Sequence, residues 1–134
     1  MIVVDTNLIG YLYLSSERSP QVERVLRRDP LWCAPLLWRS ELRNVLALYI
    51  RRGTLALEAA QRIMQAAAEL MAGREYEAAS EHVLSLAAAS GCSAYDCEFV
   101  ALAQDLGVPL VTLDADVLHR FPDTAVGLEE FAGG

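Results

Sequence analysis

Four acidic residues occupy positions where a parallel α/β protein carries its active site. Asp5 ends an apolar run near the start of the chain, and Asp114 ends a second apolar run near its end. Glu41 and Asp96 each fall in the first turn of a predicted helix. Ligands of doubly wound sheets bind beyond the carboxyl ends of the strands, where helix N-termini also point. Four carboxylates that meet there cannot all stay ionised without a counter-charge, so we expect a divalent cation among them.

The types of donor atom predict which ion it is. The four acids offer only oxygen ligands, and no His or Cys lies near them at ligand spacing. Oxygen ligands select hard ions, so Mg²⁺ or Mn²⁺ fits this set and zinc does not. One ion or two could activate water, align it with a phosphodiester and stabilise the departing oxygen. The residues therefore predict a metal-dependent enzyme whose substrate contributes phosphate.

Small polar residues accompany the acids. Thr6 and Thr112 can orient carboxylates or bound water. Asn44 follows Glu41 by three residues and so shares its face of the helix, where it can bind substrate or a carboxylate. Asp116 is a candidate for an extra ligand, although a solvated acid in a first helical turn is the simpler interpretation.

Each acid also has an ordinary structural explanation. Acidic residues are favoured at helix N-termini by the helix dipole, and Asp is a good N-cap. Asp96 follows Ser93 by three residues, which is the spacing of a capping box. Capping alone would place acids at helix starts anywhere on the molecule, whereas a metal site needs all four at one edge of one sheet. The strand-end positions of Asp5 and Asp114 favour the metal site.

The elements that must position these acids alternate between strand and helix. We predict strands at 2–4, 31–34, 74–78, 110–113 and 124–128, and helices at 8–14, 20–28, 36–52, 57–71, 80–90, 94–106 and 114–120. Such alternation is typical of βαβ units and a parallel sheet. We expect an α/β fold, a three-layer α/β/α sandwich with a central parallel sheet of about five strands, formed by one domain spanning 1–134. The first strand should be central because it is uniformly apolar.

Composition excludes several other classes. The chain has 11 Arg and no Lys, so it lacks the lysine that a P-loop requires. A phosphatase of the haloacid-dehalogenase type needs a second Asp two residues after the first, where this chain has Asn7, and a later lysine of its own, which this chain lacks. Three cysteines without C-x-x-C spacing argue against a zinc site and against a disulfide framework. The N-terminus has no basic region and no uncharged run is long enough to cross a bilayer, so we expect a cytoplasmic protein without membrane association.

Together these residues resemble the PIN domain family, and within it the VapC-type toxins of bacterial and archaeal toxin–antitoxin pairs. The matching segments are Ile2-Val3-Val4-Asp5-Thr6-Asn7, Ser40-Glu41-Leu42-Arg43-Asn44, Tyr95-Asp96-Cys97 with Ala101-Leu102-Ala103, and Pro109-Leu110-Val111-Thr112-Leu113-Asp114. They come in the family's order and cover nearly the whole chain.

The resemblance implies a Mg²⁺- or Mn²⁺-dependent endoribonuclease. Its catalytic, metal-binding acids would be Asp5, Glu41, Asp96 and Asp114, supported by Thr6, Asn44 and Thr112. It also implies an RNA substrate, a homodimer and a cognate antitoxin whose C-terminal segment enters the acidic groove. The net charge of −7 departs from what an RNA-binding protein needs, so a local Arg surface must hold the RNA.

Two related interpretations fit the same residues. A PIN-like RNA-processing nuclease without a toxin role would use the same metal chemistry, and an antitoxin gene just upstream would favour the toxin instead. A non-catalytic PIN-like binding module would keep the fold and show no dependence on metal.

Overall fold

Five parallel strands form the centre of the protein in a computed structural model that describes residues 1–133. The strands are β1 (Ile2–Val4), β2 (Trp32–Pro35), β3 (Glu75–Tyr76), β4 (Leu110–Thr112) and β5 (Ala125–Gly127). Their order in the sheet is β3-β2-β1-β4-β5, and every neighbouring pair is parallel. All three residues of β1 are buried, which confirms that the uniformly apolar strand is central.

Helices flank this sheet, as the alternating pattern predicted. They are α1 (Thr6–Tyr13), α2 (Ser19–Arg28), α3 (Leu37–Arg51), α4 (Leu57–Leu70), α5 (Ser80–Ser90), α6 (Ala94–Leu106), α7 (Ala115–Arg120) and α8 (Leu128–Ala132). Helix α6 packs on β1, β2 and β4, and α5 covers α6. Helix α1 packs on both α2 and α3, and α8 packs on α2, β4 and β5. No helix in the described part of the chain combines the length and apolar character needed to span a bilayer.

Helix α6 lies between the sheet and α5, and its middle is apolar nearly all round. Its residues 99–103 are all buried, as is Cys97. Ser93 caps its N-terminus, where the Ser93 Oγ accepts a hydrogen bond from the backbone N–H of Asp96 (3.1 Å). Gly107 ends it in the left-handed conformation (φ 68°), which glycine adopts without steric cost. These local signals fix where the helix starts, and therefore where Asp96 lies.

The edge strand β3 has only two residues and is held from the side. The Glu75 carboxylate accepts hydrogen bonds from Trp38 Nε1 (3.0 Å) and from Arg39 Nε and Nη2 (2.5 and 2.7 Å). The hydrogen bond from Arg39 lowers the pKa of Glu75. This paired fork of bonds ties β3 to the first turn of α3, which keeps α3 in place at the end of β2.

Two local expectations differ from the structure. Thr is a favoured N-cap, so we expect Thr54 to cap the helix predicted at 57–71. Ala56 takes that position instead, and the Thr54 hydroxyl donates to the carbonyl oxygen of Tyr49 (3.1 Å). Helix α8 was not predicted, because five residues between two glycines carry no helical period. Tertiary contacts hold it, since the Arg28 guanidinium lies 5.4 Å from the ring centroid of Phe131 and donates to the Phe131 carbonyl oxygen (3.2 Å).

Candidate active site

The sheet reverses its strand order between β1 and β4. The chain builds β2 and β3 on one side of β1 and then returns to place β4 and β5 on the other side. In open α/β sheets, ligands bind at this switch point, beyond the carboxyl ends of the two strands. Asp5 directly follows β1, and Asp114 lies two residues after the end of β4. The topology therefore brings these two acids to the same crevice.

A cavity of about 260 Å³ opens at this crevice. Its lining comprises Asp5, Thr6, Asn7, Glu41, Asn44, Val45, Asp96, Phe99, Leu110, Thr112, Asp114 and Val117. All four candidate acids and the three supporting polar residues are thus brought together. Asp116 is exposed and does not line the cavity, although its charge contributes to the raised pKa of Asp96.

Asp5 is the acid most tightly held by the protein. Its Oδ1 accepts from the backbone N–H of Leu8 (3.2 Å), which caps α1. Its Oδ2 accepts from the Thr112 hydroxyl (2.5 Å) and from the backbone N–H of Leu113 (3.2 Å). Burial raises the pKa of Asp5, and these hydrogen bonds act in the opposite direction.

Glu41 reaches the cavity from the second turn of α3. The helix starts at Leu37, so the expectation that Glu41 sits in a first turn was wrong, and the helix dipole does not explain its presence. The Thr6 hydroxyl donates to Glu41 Oε1 (2.7 Å). Burial raises the pKa of Glu41, and the negative charges of Asp5 and Asp96 raise it further.

Asp96 and Asp114 complete the set from the starts of two helices. Asp114 caps α7, with its Oδ1 accepting from the backbone N–H of Val117 (3.1 Å). Its own backbone N–H donates to the Thr112 hydroxyl (3.1 Å), so Thr112 bonds to both strand-end acids. Burial raises the pKa of Asp96, and the neighbouring charge of Asp114 adds to this shift.

Several carboxylate oxygens of this site have no protein donor. Within residues 1–133, no hydrogen bond reaches Oε2 of Glu41 or Oδ2 of Asp114, and the Asp96 carboxylate has no partner apart from the Ser93 hydroxyl, which lowers its pKa. Each free oxygen keeps its lone pairs, and the cavity lining contains no cationic side chain. Partly buried carboxylate oxygens without a protein donor, together with the raised pKa values of Glu41 and Asp96, are what a bound cation would satisfy. The residues present therefore fit a hard divalent ion.

The four acids line one cavity, but their side chains are not positioned as the ligands of a single metal ion. In the described part of the chain, no three His, Cys, Asp or Glu side chains lie close enough as they stand to hold one metal ion. Carboxylates without a counter-charge repel one another, and the charges of Asp5 and Asp96 accordingly raise the pKa of Glu41. Holding an ion between them would require side-chain rotation, which the carboxylate of Asp96 permits.

Sequence reasoning missed the apolar walls of the cavity. Val45 lies four residues after Glu41, Phe99 three after Asp96, and Val117 three after Asp114. Residues three or four apart share a helix face, so the same spacing argument that found Asn44 would have found them. These apolar side chains keep water from the acids on one side and contribute to the desolvation that raises the pKa values of Glu41 and Asp96.

Comparison with known proteins agrees with this geometry. A model of the PIN domain matches residues 2–124, and the chain belongs to the PIN domain family. Among individual proteins, it is similar to Ribonuclease VapC3 of Pyrobaculum aerophilum, with 32% identity over 124 residues that cover 90% of this chain and 95% of that protein. The family predicted from the four sequence segments is therefore confirmed.

Solved structures show the same fold. PAE2754 from Pyrobaculum aerophilum superposes with a TM-score of 0.77 at 21% identity, covering 98% of this chain and 92% of that one. A toxin–antitoxin complex from Klebsiella pneumoniae gives a TM-score of 0.70 at 18% identity, covering 96% and 98%. FitAcB from Neisseria gonorrhoeae gives 0.72 at 20% identity, also covering 96% and 98%. The predicted α/β architecture with five parallel strands is thereby confirmed.

Proposed function

We propose that this protein is a divalent-metal-dependent endoribonuclease that hydrolyses RNA phosphodiester bonds as the toxin of a VapBC-type toxin–antitoxin pair. One observation carries the proposal. Four carboxylates line the cavity at the switch point of the sheet, and no cationic side chain of the described residues lines it. The similarity to a protein named as a ribonuclease supports RNA as the substrate. Ribonucleases of the PIN family generally depend on divalent metal, which agrees with the oxygen donors.

We assign Asp5, Glu41, Asp96 and Asp114 as the catalytic and metal-binding residues, with Mg²⁺ or Mn²⁺ as the ion and one or two ions bound. When bound, the cation would offset the carboxylate charge and supply Lewis acidity toward a phosphate oxygen. Asp116 remains outside this set because it does not line the cavity.

The supporting polar groups orient the carboxylates by hydrogen bonds. The Thr112 hydroxyl and the Leu113 backbone N–H favour the ionised form of Asp5 and fix its rotamer. The Thr6 hydroxyl fixes one oxygen of Glu41 and leaves the other free. The Asn44 amide, at the cavity wall, offers donors to a phosphate oxygen.

The negative overall charge requires a local cation to hold RNA near the acids. On α3, Arg39 is neutralised by Glu75. Arg43 is exposed and donates only to the Arg39 carbonyl oxygen (3.1 Å) and the Ser40 hydroxyl (3.3 Å) among the described residues. We propose that Arg43, which directly precedes Asn44, contacts a flanking phosphate and that its contribution weakens with salt.

The wider assembly follows from this function. We propose that a cognate antitoxin covers the acidic cavity, that the active form is a homodimer, and that residues 1–134 act as one domain in the cytoplasm, where cellular RNA is available. Co-expression with a small open reading frame just upstream tests the partner, since a stable complex that blocks RNA cleavage is expected.

The metal-dependent nuclease is tested by cleavage of RNA with purified protein. With Mg²⁺, sequencing of the new 5′ ends should map defined cuts that disappear with chelator. Asp5→Asn and Asp96→Asn should each lower the rate by at least about 100-fold, the upper range for removing even an outer-shell partner of a metal site.

Asp116→Asn is the matched control, because it removes a neighbouring carboxylate that does not line the cavity. It should keep activity close to that of the unmodified protein. Cleavage that survives chelation together with Asp5→Asn or Asp96→Asn would refute the proposal.

A further inference from the structure

Two of the three cysteines lie together beside the acidic site. A second apolar cluster, separate from the main core, contains buried Val83, Cys97 and Ala101, and Cys92 packs against it. Val83 belongs to α5, and Cys97 and Ala101 belong to α6. Cys92 lies in the short connection between these helices. The third cysteine, Cys33, is buried in β2 as part of the main core.

The start of α6 brings the two thiols to the same place. Because Ser93 is the N-cap, Cys92 is the residue before the cap and Cys97 is the fourth residue of the helix. These are the two positions of a hydrophobic staple, whose side chains pack on each other. The Ser90 hydroxyl oxygen lies 3.9 Å from Cys97 Sγ and accepts a hydrogen bond from the Cys92 backbone N–H (3.0 Å). Both cysteines therefore adjoin one hydroxyl group.

We propose that Cys92 and Cys97 form a reversible disulfide in the presence of peroxide, and that this bond inactivates the acidic site. Cys92 is half-buried, whereas Cys97 is fully buried, so oxidation begins at Cys92. The O–O bond of hydrogen peroxide breaks, the Cys92 thiol becomes a sulfenic acid, and one water leaves. The Cys97 sulfur then attacks the Cys92 sulfur, the S–O bond breaks, and a second water leaves. Two thiols and one peroxide thus give one disulfide and two waters.

The bond would act on the site through Asp96. Asp96 directly precedes Cys97 in the first turn of α6, and its backbone N–H bonds to the Ser93 cap. A disulfide holds the two sulfur atoms about 2.04 Å apart, well inside the contact distance of two separate thiols, so closing the bond draws the first turn of α6 toward Cys92. Misplacing a reacting group by about 1 Å can cost about 100-fold in rate. This effect on cleavage rests on the proposed function, whereas formation of the bond does not.

The bond itself is tested without RNA. The wild-type protein is treated with hydrogen peroxide, and its remaining thiols are alkylated after unfolding and mapped by peptide mass. We expect the loss of two hydrogens, a peptide pair joined through Cys92 and Cys97, reversal by dithiothreitol, and a Cys33 that is still alkylated as the internal control. Cys92→Ser and Cys97→Ala should each abolish the joined pair. A Cys92 oxidised beyond sulfenic acid without a bridge, or a bridge to Cys33 or to a second copy, would overturn the proposal.

The effect on the site is tested by two measurements on oxidised and reduced protein. RNA cleavage should fall by 10-fold to 100-fold on oxidation, and Cys92→Ser should keep its activity in peroxide. The rise in melting temperature produced by Mg²⁺ should shrink in the oxidised protein. If the bridge forms while the Mg²⁺ response stays unchanged, the switch is refuted even for a protein that cuts no RNA. A reduced protein that responds to Mg²⁺ without cutting RNA would contradict the proposed nuclease alone.

Discussion

Replacing Thr112 by Val tests how the strand-end acids are held. The Thr112 side chain is 1% exposed. Its hydroxyl donates to Asp5 Oδ2 (2.5 Å) and accepts from the backbone N–H of Asp114 (3.1 Å). Val has nearly the same shape and lacks the hydroxyl, so Thr112→Val removes both hydrogen bonds while leaving the packing in place.

The two lost bonds set the size of the effect. A hydrogen bond to a charged group contributes about 1.5–3 kcal/mol, and a buried N–H left unpaired costs about 1–3 kcal/mol. Burial raises the pKa of Asp5 and the Thr112 hydrogen bond lowers it. Without that bond Asp5 binds a proton more readily, which offsets part of the lost free energy. We expect a net loss of about 2–4 kcal/mol in the free energy of unfolding, equivalent to roughly 6–14 °C in melting temperature for a domain of this size.

Urea unfolding at pH 7 in chelator measures the loss, and Thr112→Ser is the matched control. Ser keeps the hydroxyl and gives up one methyl group, which costs about 0.8 kcal/mol. The difference in the free energy of unfolding between the Val and Ser variants should become smaller in acid, where Asp5 is protonated in both the folded and the unfolded protein. A Val variant as stable as the Ser variant at pH 7 would show that the hydroxyl does not hold the two acids.

Further predictions concern the charge of the site and the start of α6. Asp5, Glu41 and Asp96 all have raised pKa values, so their contribution to stability is present in acid and lost as the pH rises through the folded-state values. In chelator, thermal melts at successively lower pH, down to the ordinary carboxyl range, should therefore show a rising melting temperature, and Asp96→Asn should flatten this rise. Mg²⁺ at 100 times its Kd should raise the free energy of unfolding by about 2.7 kcal/mol at pH 8. A melting temperature that does not change with Mg²⁺ would contradict the cation site. Ser93→Ala should cost about 1 kcal/mol in urea unfolding by removing the cap of α6, whereas Ser93→Thr should cost less.

The sequence predicted the strand-end acids because two short-range rules agree there. An apolar run followed by Asp marks both a strand end and a helix cap, and the parallel order of the sheet then brings Asp5 and Asp114 together. Asn44 was found from its helical spacing to Glu41, which does not depend on where the helix begins, whereas Glu41 itself was expected in a first turn that α3 does not give it. The start of α3 was less certain because no side chain caps it.

Features held by distant contacts could not be predicted in the same way. Strand β3 was predicted at 74–78, but it has only two residues, and its position at the edge of the sheet depends on Glu75 bonding to Trp38 and Arg39 across more than thirty positions of the chain. Helix α8 likewise depends on Phe131 packing against Arg28. Neither contact leaves a periodic pattern in the local sequence, so only the folded arrangement reveals it.

The capping and the metal-site explanations of the acids turn out to be compatible. A parallel strand that ends in Asp is followed at once by a helix, so one residue occupies the cap position and the ligand-binding edge together. In Asp114, Oδ1 caps α7 while Oδ2 has no donor among residues 1–133. The capping bond fixes the rotamer, and so it orients the free oxygen for a cation as an outer-shell partner does. Among the described residues, the Asp96 carboxylate accepts no backbone N–H and interacts only with the Ser93 hydroxyl. The first turn of α6 therefore positions it, and that turn is where the site is most easily disturbed.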